Sequence, residues 1–294
     1  MTNIPVTPQK SKSSRKVLII GCGDIGQRLA YQLSSDKYQI TGVRRNCPPN
    51  HPHLRYFGCD ATASGALEPA LKENFDVIVI TMTPAERSDA AYQRSYVDTC
   101  QNLVNSLSAL ALQPRLIIFV SSTAVYAQDD GSWVDEDSPT NPTHFSGRRL
   151  LEAEKVIQES GFNYTLVRFS GIYGPGRTRL IQQVQQGRAS ASPHHTNRIH
   201  AEDCAGFLAH LIRLQQPLEP MYIATDSHPA PMVEVVSWIA AKIGVTDFLS
   251  PDTVNERSNK KLSNKRMLGS GYQLRYPGFQ AGYAELIGDG ETEQ

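Results

Sequence analysis

The chain has 294 residues, and its 29 Lys and Arg balance 29 Asp and Glu. That length suits one large α/β domain or a core carrying a smaller lobe, and the neutral balance argues against a global electrostatic pull toward nucleic acid or an anionic membrane surface. No apolar run approaches the ~20 residues of a membrane span, and the polar start "MTNIPVTPQKSKSSRK" lacks the apolar stretch of a secretory signal.

Residues 1–15 read as a disordered lead-in. "KVLIIG" (16–21) predicts a buried strand, and "DIGQRLAYQLSS" a helix with Ile25, Leu29, Ala30 and Leu33 on one face. Further strands are predicted at 38–44, 54–60, 75–81, 115–122, 163–169 and 221–225. Helices are predicted through "SYVDTCQNLVNSLSAL" and over 147–160, the latter capped by Gly161. Strands apolar throughout and separated by helices imply a parallel sheet covered on both faces. Right-handed crossovers make it an α/β, doubly wound parallel sheet of the Rossmann type. From Gly171 the pattern loosens. Residues 16–170 plus 198–226 then form the dinucleotide-binding core, 171–197 plus 227–287 a smaller C-terminal substrate lobe, and 288–294 an acidic tail.

Cys22, Cys47, Cys59, Cys100 and Cys204 are odd in number, scattered, and without a C-x-x-C pair. Reduced thiols in a cytoplasmic protein follow. His194, His195 and His200 lie in a Ser/Pro/Asn-rich stretch without carboxylate or cysteine spacing, so no metal site is expected.

"VLIIGCGDIGQRLA" holds Gly21-x-Gly23-x-x-Gly26 between a strand and a helix, the context that gives this pattern its meaning. Gly21 permits a tight turn, Gly23 a close approach of backbone to pyrophosphate, and Gly26 close packing of helix on strand. The helix start, Asp24-Ile25, offers free N–H groups and about half a positive charge to phosphates. Strand two ends in Arg44-Arg45 where an NAD site usually has an acid, which favours the 2′-phosphate of NADP and leaves NAD open; a solvated arginine pair is the alternative. Asp24 points the other way, since a carboxylate repels phosphate. Asp60 after strand three suits the adenine amino group, and Thr81-Met82-Thr83 after strand four would run beside the ribose.

With these motifs the chain resembles the extended short-chain dehydrogenase/reductases, the group of nucleotide-sugar epimerases and dehydratases. The resemblance rests on "GCGDIG", Asp60, "VSSTAVYA", "LVRFSGIYGPGR", "RIHAEDCAGF" and "KLSNKRMLGSGYQLRYPGFQAGY". The last two are similar to an atypical YeeZ-like branch, whose members often lack the catalytic tyrosine. The resemblance implies a Ser/Thr, a Tyr and a Lys around the nicotinamide. Here Ser122 takes the serine position, beside Thr123, while "PTHFSGRRLLEAE" puts His144 at the tyrosine position and Arg148 at the lysine position. Histidine titrates near ~6.5 and can move a proton unaided; arginine can anchor ribose or phosphate but cannot shuttle protons. The alternative makes His144 a loop residue and Arg148 a solvated one. Tyr126 is a second acid–base candidate, or packs under the loop. Arg177, Arg198 and His200 are candidates for a substrate diphosphate, with an Arg198 salt bridge to Glu202 or Asp203 as the alternative.

The resemblance thus implies an NAD(P)-dependent oxidoreductase or epimerase/dehydratase-like enzyme acting on a hydroxyl- or carbonyl-bearing metabolite, a nucleotide sugar among the candidates. A non-catalytic NADP-binding sensor or scaffold of the same fold is the rival. No nucleic-acid or membrane partner is expected, and the helix "EKVIQES" leaves monomer and homodimer both open.

Overall fold

The computed structural model describes residues 15–34, 38–214, 216–246 and 259–288. The expected lead-in through residue 14 and the tail from residue 289 lie outside them. The core begins with β1 (Arg15–Ile20), α1 (Asp24–Leu33), β2 (Tyr38–Arg44), β3 (Arg55–Gly58), α2 (Glu68–Leu71) and β4 (Val77–Ile80). A helix then runs through α3 (Asp89–Tyr92), a π-helical turn (Gln93–Asp98) and α4 (Thr99–Ala109). Next come β5 (Leu116–Ser122), β6 (Trp133–Val134), α5 (Phe145–Gln158), β7 (Tyr164–Phe169) and β8 (Gly171–Tyr173). They are followed by α6 (Arg179–Gln185), β9 (His195–Thr196), β10 (Arg198–His200), α7 (Ala201–Arg213) and β11 (Met221–Ala224). The chain closes with β12 (Ala230–Pro231), α8 (Met232–Ile243), β13 (Lys261–Leu262), α9 (Lys265–Gly269) and α10 (Phe279–Gly288).

Seven strands form one parallel sheet in the order β3-β2-β1-β4-β5-β7-β11. This is the doubly wound sheet expected from the sequence. The apolar strands serve two faces because side chains alternate. Val17 and Ile19 pack with Leu29, Phe207 and Leu211 of α1 and α7, whereas Leu18 and Ile20 pack with Leu103, Leu107, Leu150 and Ile157 of α4 and α5. The strand order reverses between β1 and β4, which opens a crevice at the carboxyl ends of those strands.

A third apolar cluster joins Tyr173, Ile181 and Val184 to Val235, Val236, Ile239, Phe279 and Tyr283. Three boundaries differ from those read in sequence. Arg15 belongs to β1 and Gly288 to α10. Leu262 and Met267, grouped with the lobe by sequence position, pack in the two clusters on the main sheet, because β13 pairs with β6. The C-cap of α5 is Glu159, and Gly161 takes a positive φ of 78° two residues later. No helix among the described residues is long and apolar enough to cross a membrane.

Candidate functional site

The three glycines of the first loop have distinct surroundings. Gly21 has φ 78°, and a Cβ there would lie 2.7 Å from Met82 Sδ. A Cβ on Gly26 would lie 2.9 Å from Ile19 Cγ2, so this glycine lets α1 rest on β1. A Cβ on Gly23 would meet nothing nearer than the Gly21 carbonyl at 3.8 Å. Gly23 is also the N-cap of α1 and gives it no side-chain cap. The first-turn N–H groups therefore keep open space in front of them, which fits a pyrophosphate.

A cleft of ≈ 360 Å³ starts at that loop and is lined by Arg44, Arg45, Asp60, Met82 and Thr83 among others. Asp60 accepts from the Thr62 amide (3.0 Å) and hydroxyl (2.8 Å), and these bonds hold its carboxyl below the usual range. Thr81, read in sequence as a cofactor contact, is buried; its hydroxyl donates to the Gly21 carbonyl at 3.0 Å and so braces the loop from behind. The Ile25 side chain faces the core, leaving only its backbone at the helix start. Asp24 turns its carboxylate to Arg28 (2.8 Å) and Arg177 (2.9 Å). The phosphate-repelling charge is thus paired.

A second cleft, of ≈ 900 Å³, opens at the ends of β5 and β7. Since β4 and β5 are neighbours, the two clefts lie along one edge of the sheet. Ser122, Thr123, Tyr126 and His144 all line it. Gly147 makes this meeting possible. A Cβ there would lie 2.6 Å from the Ala124 carbonyl and 2.4 Å from Pro142 Cβ, so only glycine lets α5 approach the turn after β5 so closely. His144 is the N-cap of α5, and its Nδ1 accepts from the Ser146 amide at 3.3 Å. A ring nitrogen that accepts carries no proton, so the neutral imidazole holds its proton on Nε2.

Five of the residues expected at the reaction site are engaged otherwise, four of them outside the lining of both clefts. Tyr126 lines the cleft, but its hydroxyl accepts from buried Arg168 Nη1 at 2.7 Å, and burial pushes the phenol up to about 12. It packs under the loop, where the buried Arg168 guanidinium holds its oxygen. Arg148 keeps the i, i+4 relation to His144 yet donates to the Thr143 carbonyl at 2.6 Å, outside the lining of either cleft. Arg198 is buried; it donates to Thr196 Oγ1 at 2.7 Å and lies over the Phe279 ring, bridged to neither Glu202 nor Asp203. His200 is buried as the N-cap of α7, where Nδ1 accepts from the Glu202 amide and burial lowers its pKa. Neither Arg198 nor His200 lines either of these two clefts, and Arg177, outside both linings, bonds Asp24 through Nη2. Among the described residues, no group of three His, Cys, Asp or Glu converges as a metal site would require.

A family model described as NAD(P)H-binding matches residues 21–214. The protein YeeZ of Escherichia coli K12 is 30% identical over 280 residues, which cover 90% of this chain and 97% of YeeZ. The chain belongs to the NAD(P)H-binding family. Its extended short-chain dehydrogenase/reductase character is supported by solved structures. A Methylobacillus flagellatus protein named as an NAD-dependent epimerase/dehydratase is 38% identical, with a TM-score of 0.81 over 95% of this chain and 100% of that one. MoeE5, solved with UDP-glucuronic acid and NAD, has a TM-score of 0.82 over 95% and 100% of the two chains at 20% identity, a likeness of fold.

For a member of the NAD(P)H-binding family, two features escaped the sequence reading. Arg94 and Ser95 line the first cleft because the π-helical turn shifts the register of the helix that carries them. Lys260 lines the second cleft; it is buried, its Nζ donates to the Tyr126 carbonyl at 2.9 Å, and burial lowers its pKa. Lys260 reaches the cleft through tertiary placement, by the β13–β6 pairing and the Asn197 side-chain amide, which donates to the Lys260 carbonyl at 2.9 Å.

Proposed function

We propose that the chain is an NADP-preferring oxidoreductase or epimerase/dehydratase-like enzyme acting on a hydroxyl or carbonyl group of a small metabolite. The observation that carries this is the convergence of Ser122 and His144 in a cleft along the same sheet edge as the glycine loop. Gly23 and the first turn of α1 would hold the dinucleotide's pyrophosphate, Asp60 its adenine, and Arg44 and Arg45 a 2′-phosphate. The nicotinamide supplies the hydride acceptor or donor. The Ser122 hydroxyl orients the substrate oxygen. His144 exchanges a proton with that oxygen through Nε2, with the Ser146 amide fixing the ring. Lys260, pinned by the Tyr126 carbonyl, forms a polar wall of the cleft.

The arginines first considered for a substrate diphosphate do not line this cleft. UDP-glucuronic acid, the ligand of MoeE5, is therefore a probe substrate rather than the favoured one. The rival reading, a dinucleotide-responsive sensor without turnover, draws support from Arg148, which bonds the Thr143 carbonyl outside the cleft lining and so leaves the usual lysine position without a role there.

Calorimetric titration of NADP and NAD tests the cofactor reading. Replacing Arg44 and Arg45 together by Ala weakens NADP by about 10–100-fold and leaves NAD unchanged. Absence of affinity for either dinucleotide defeats the proposal. Nicotinamide absorbance with a panel of sugars, ketones and UDP-glucuronic acid tests turnover. Once a substrate is found, His144→Ala lowers the rate by ~10²–10⁴-fold; a panel without any turnover favours the sensor.

A further inference from the structure

The tight turn after β8 carries a cation from the lobe to the glycine loop. Gly174 and Gly176 adopt φ of 139° and 80°, and the Arg177 amide donates to the Gly174 carbonyl at 2.9 Å. The turn places Arg177 Nη2 at 2.9 Å from Asp24 Oδ2. Asp24 is the first residue of α1, so its own backbone N–H is one of the free donors at the helix start. Arg28 is committed on both sides, to Asp24 and to Glu202. Arg177 is not: among the described residues, Asp24 is the one hydrogen-bond partner of its side chain. Both groups are more than one-third exposed.

We propose that Arg177 binds the diphosphate of the dinucleotide at the N-terminus of α1, with Asp24 holding the guanidinium in readiness. This rests on the dinucleotide reading of the first cleft. A carboxylate in the first turn of α1 opposes an incoming diphosphate. A guanidinium can hold that carboxylate with one edge and a phosphate with the other, because its five donors form a rigid planar fork. The lobe thereby contributes a cation to cofactor binding, and the turn that carries Arg177 is tied to the core when the dinucleotide arrives.

Simple charge neutralisation of Asp24 by Arg177 must be separated from direct contact with phosphate. Calorimetric titrations of Asp24→Asn and of Asp24→Asn combined with Arg177→Ala do this, since the carboxylate is absent from both. Three probes are used: NADP; ADP, which keeps the diphosphate; and 2′-AMP, which keeps the adenine end and lacks it. The double variant binds NADP and ADP about 10–100-fold more weakly than Asp24→Asn, and 2′-AMP equally well. Arg177→Gln in the same background gives the same loss, since it also removes the charge. Equal NADP and ADP affinity in Asp24→Asn and the double variant overturns the proposal. So does a loss shared by 2′-AMP, or one confined to the Ala variant. A native protein that binds none of NADP, NAD and ADP sinks the dinucleotide reading itself, which is a separate result.

Discussion

Asp226→Asn should stabilise the protein in a way that grows with pH. Asp226 follows β11 and is 1% exposed. Its Oδ1 accepts from the His228 amide at 3.1 Å, while Oδ2 has no partner. Burial raises the carboxyl from 3.8 to about 7, the charge of Asp203 pushes the same way, and the His228 amide and Arg198 oppose. In the unfolded chain the group ionises near ~4. Between ~4 and ~7 the unfolded state therefore binds fewer protons than the folded one, and stability falls as pH rises through that window. Below ~4 and above ~7 the contribution is flat. At ~1.4 kcal/mol per unit, the full penalty is about 4 kcal/mol. Asparagine keeps the acceptor for His228 and has no proton to lose. Urea unfolding of both proteins from about pH 5 to about pH 8 should show the variant's advantage widening by roughly 2–3 kcal/mol. A difference that stays constant across that range refutes the reasoning, because it would mean that Asp226 ionises alike in both states.

Glu154→Gln removes the charge opposite Arg168, which it grips through two nitrogens at 2.9 and 2.5 Å with both residues buried. The remaining guanidinium is then an unpaired buried cation, and the urea-unfolding free energy should fall by about 3–5 kcal/mol; a loss under about 1 kcal/mol would show that water reaches the pair. Gly21→Ala and Gly23→Ala should separate folding from binding. The first forces a Cβ against Met82 at a φ of 78° and lowers Tm, whereas the second has open space and should keep Tm while weakening NADP by at least ~10-fold; the opposite pattern would contradict the roles drawn for this loop.

The sheet was legible because buried parallel strands read as unbroken apolar runs. "VLII" and "VIVI" need no partner information to be recognised, since both of their faces are covered. The glycine loop was legible for a similar reason: its constraints are local. The concern over Asp24 could have been half resolved from sequence, since Arg28 sits at i+4 on the same helix. The other half could not, because Arg177 arrives from across the chain. Tertiary placement also decided Arg198, whose charge suggested a ligand but whose position between Thr196 and Phe279 buries it. Lys260 and the π-helical turn that delivers Arg94 left no local signal. Each depends on register, one between β13 and β6 and the other within a helix.

The substitution at the tyrosine and lysine positions has a consistent physical form under the proposed function. A phenol titrates near ~10 and needs a neighbouring cation to lose its proton near neutrality, whereas an imidazole titrates near ~6.5 without one. Here Arg148, four residues on from His144, bonds the Thr143 carbonyl. What the histidine does need is a fixed ring. The N-cap geometry supplies it, since the same Nδ1 contact with Ser146 that satisfies the helix end also selects the Nε2 proton. The alignment of that helix with the strand bearing Ser122 is held in turn by polar contacts. Ser121 of β5 donates to Glu154 of α5 at 2.5 Å, and Glu154 takes Arg168 of β7. Such a network adds little net stability over an apolar core, but it accepts only one relative placement of its three elements. Ser122 and His144, on two of those elements, inherit that placement.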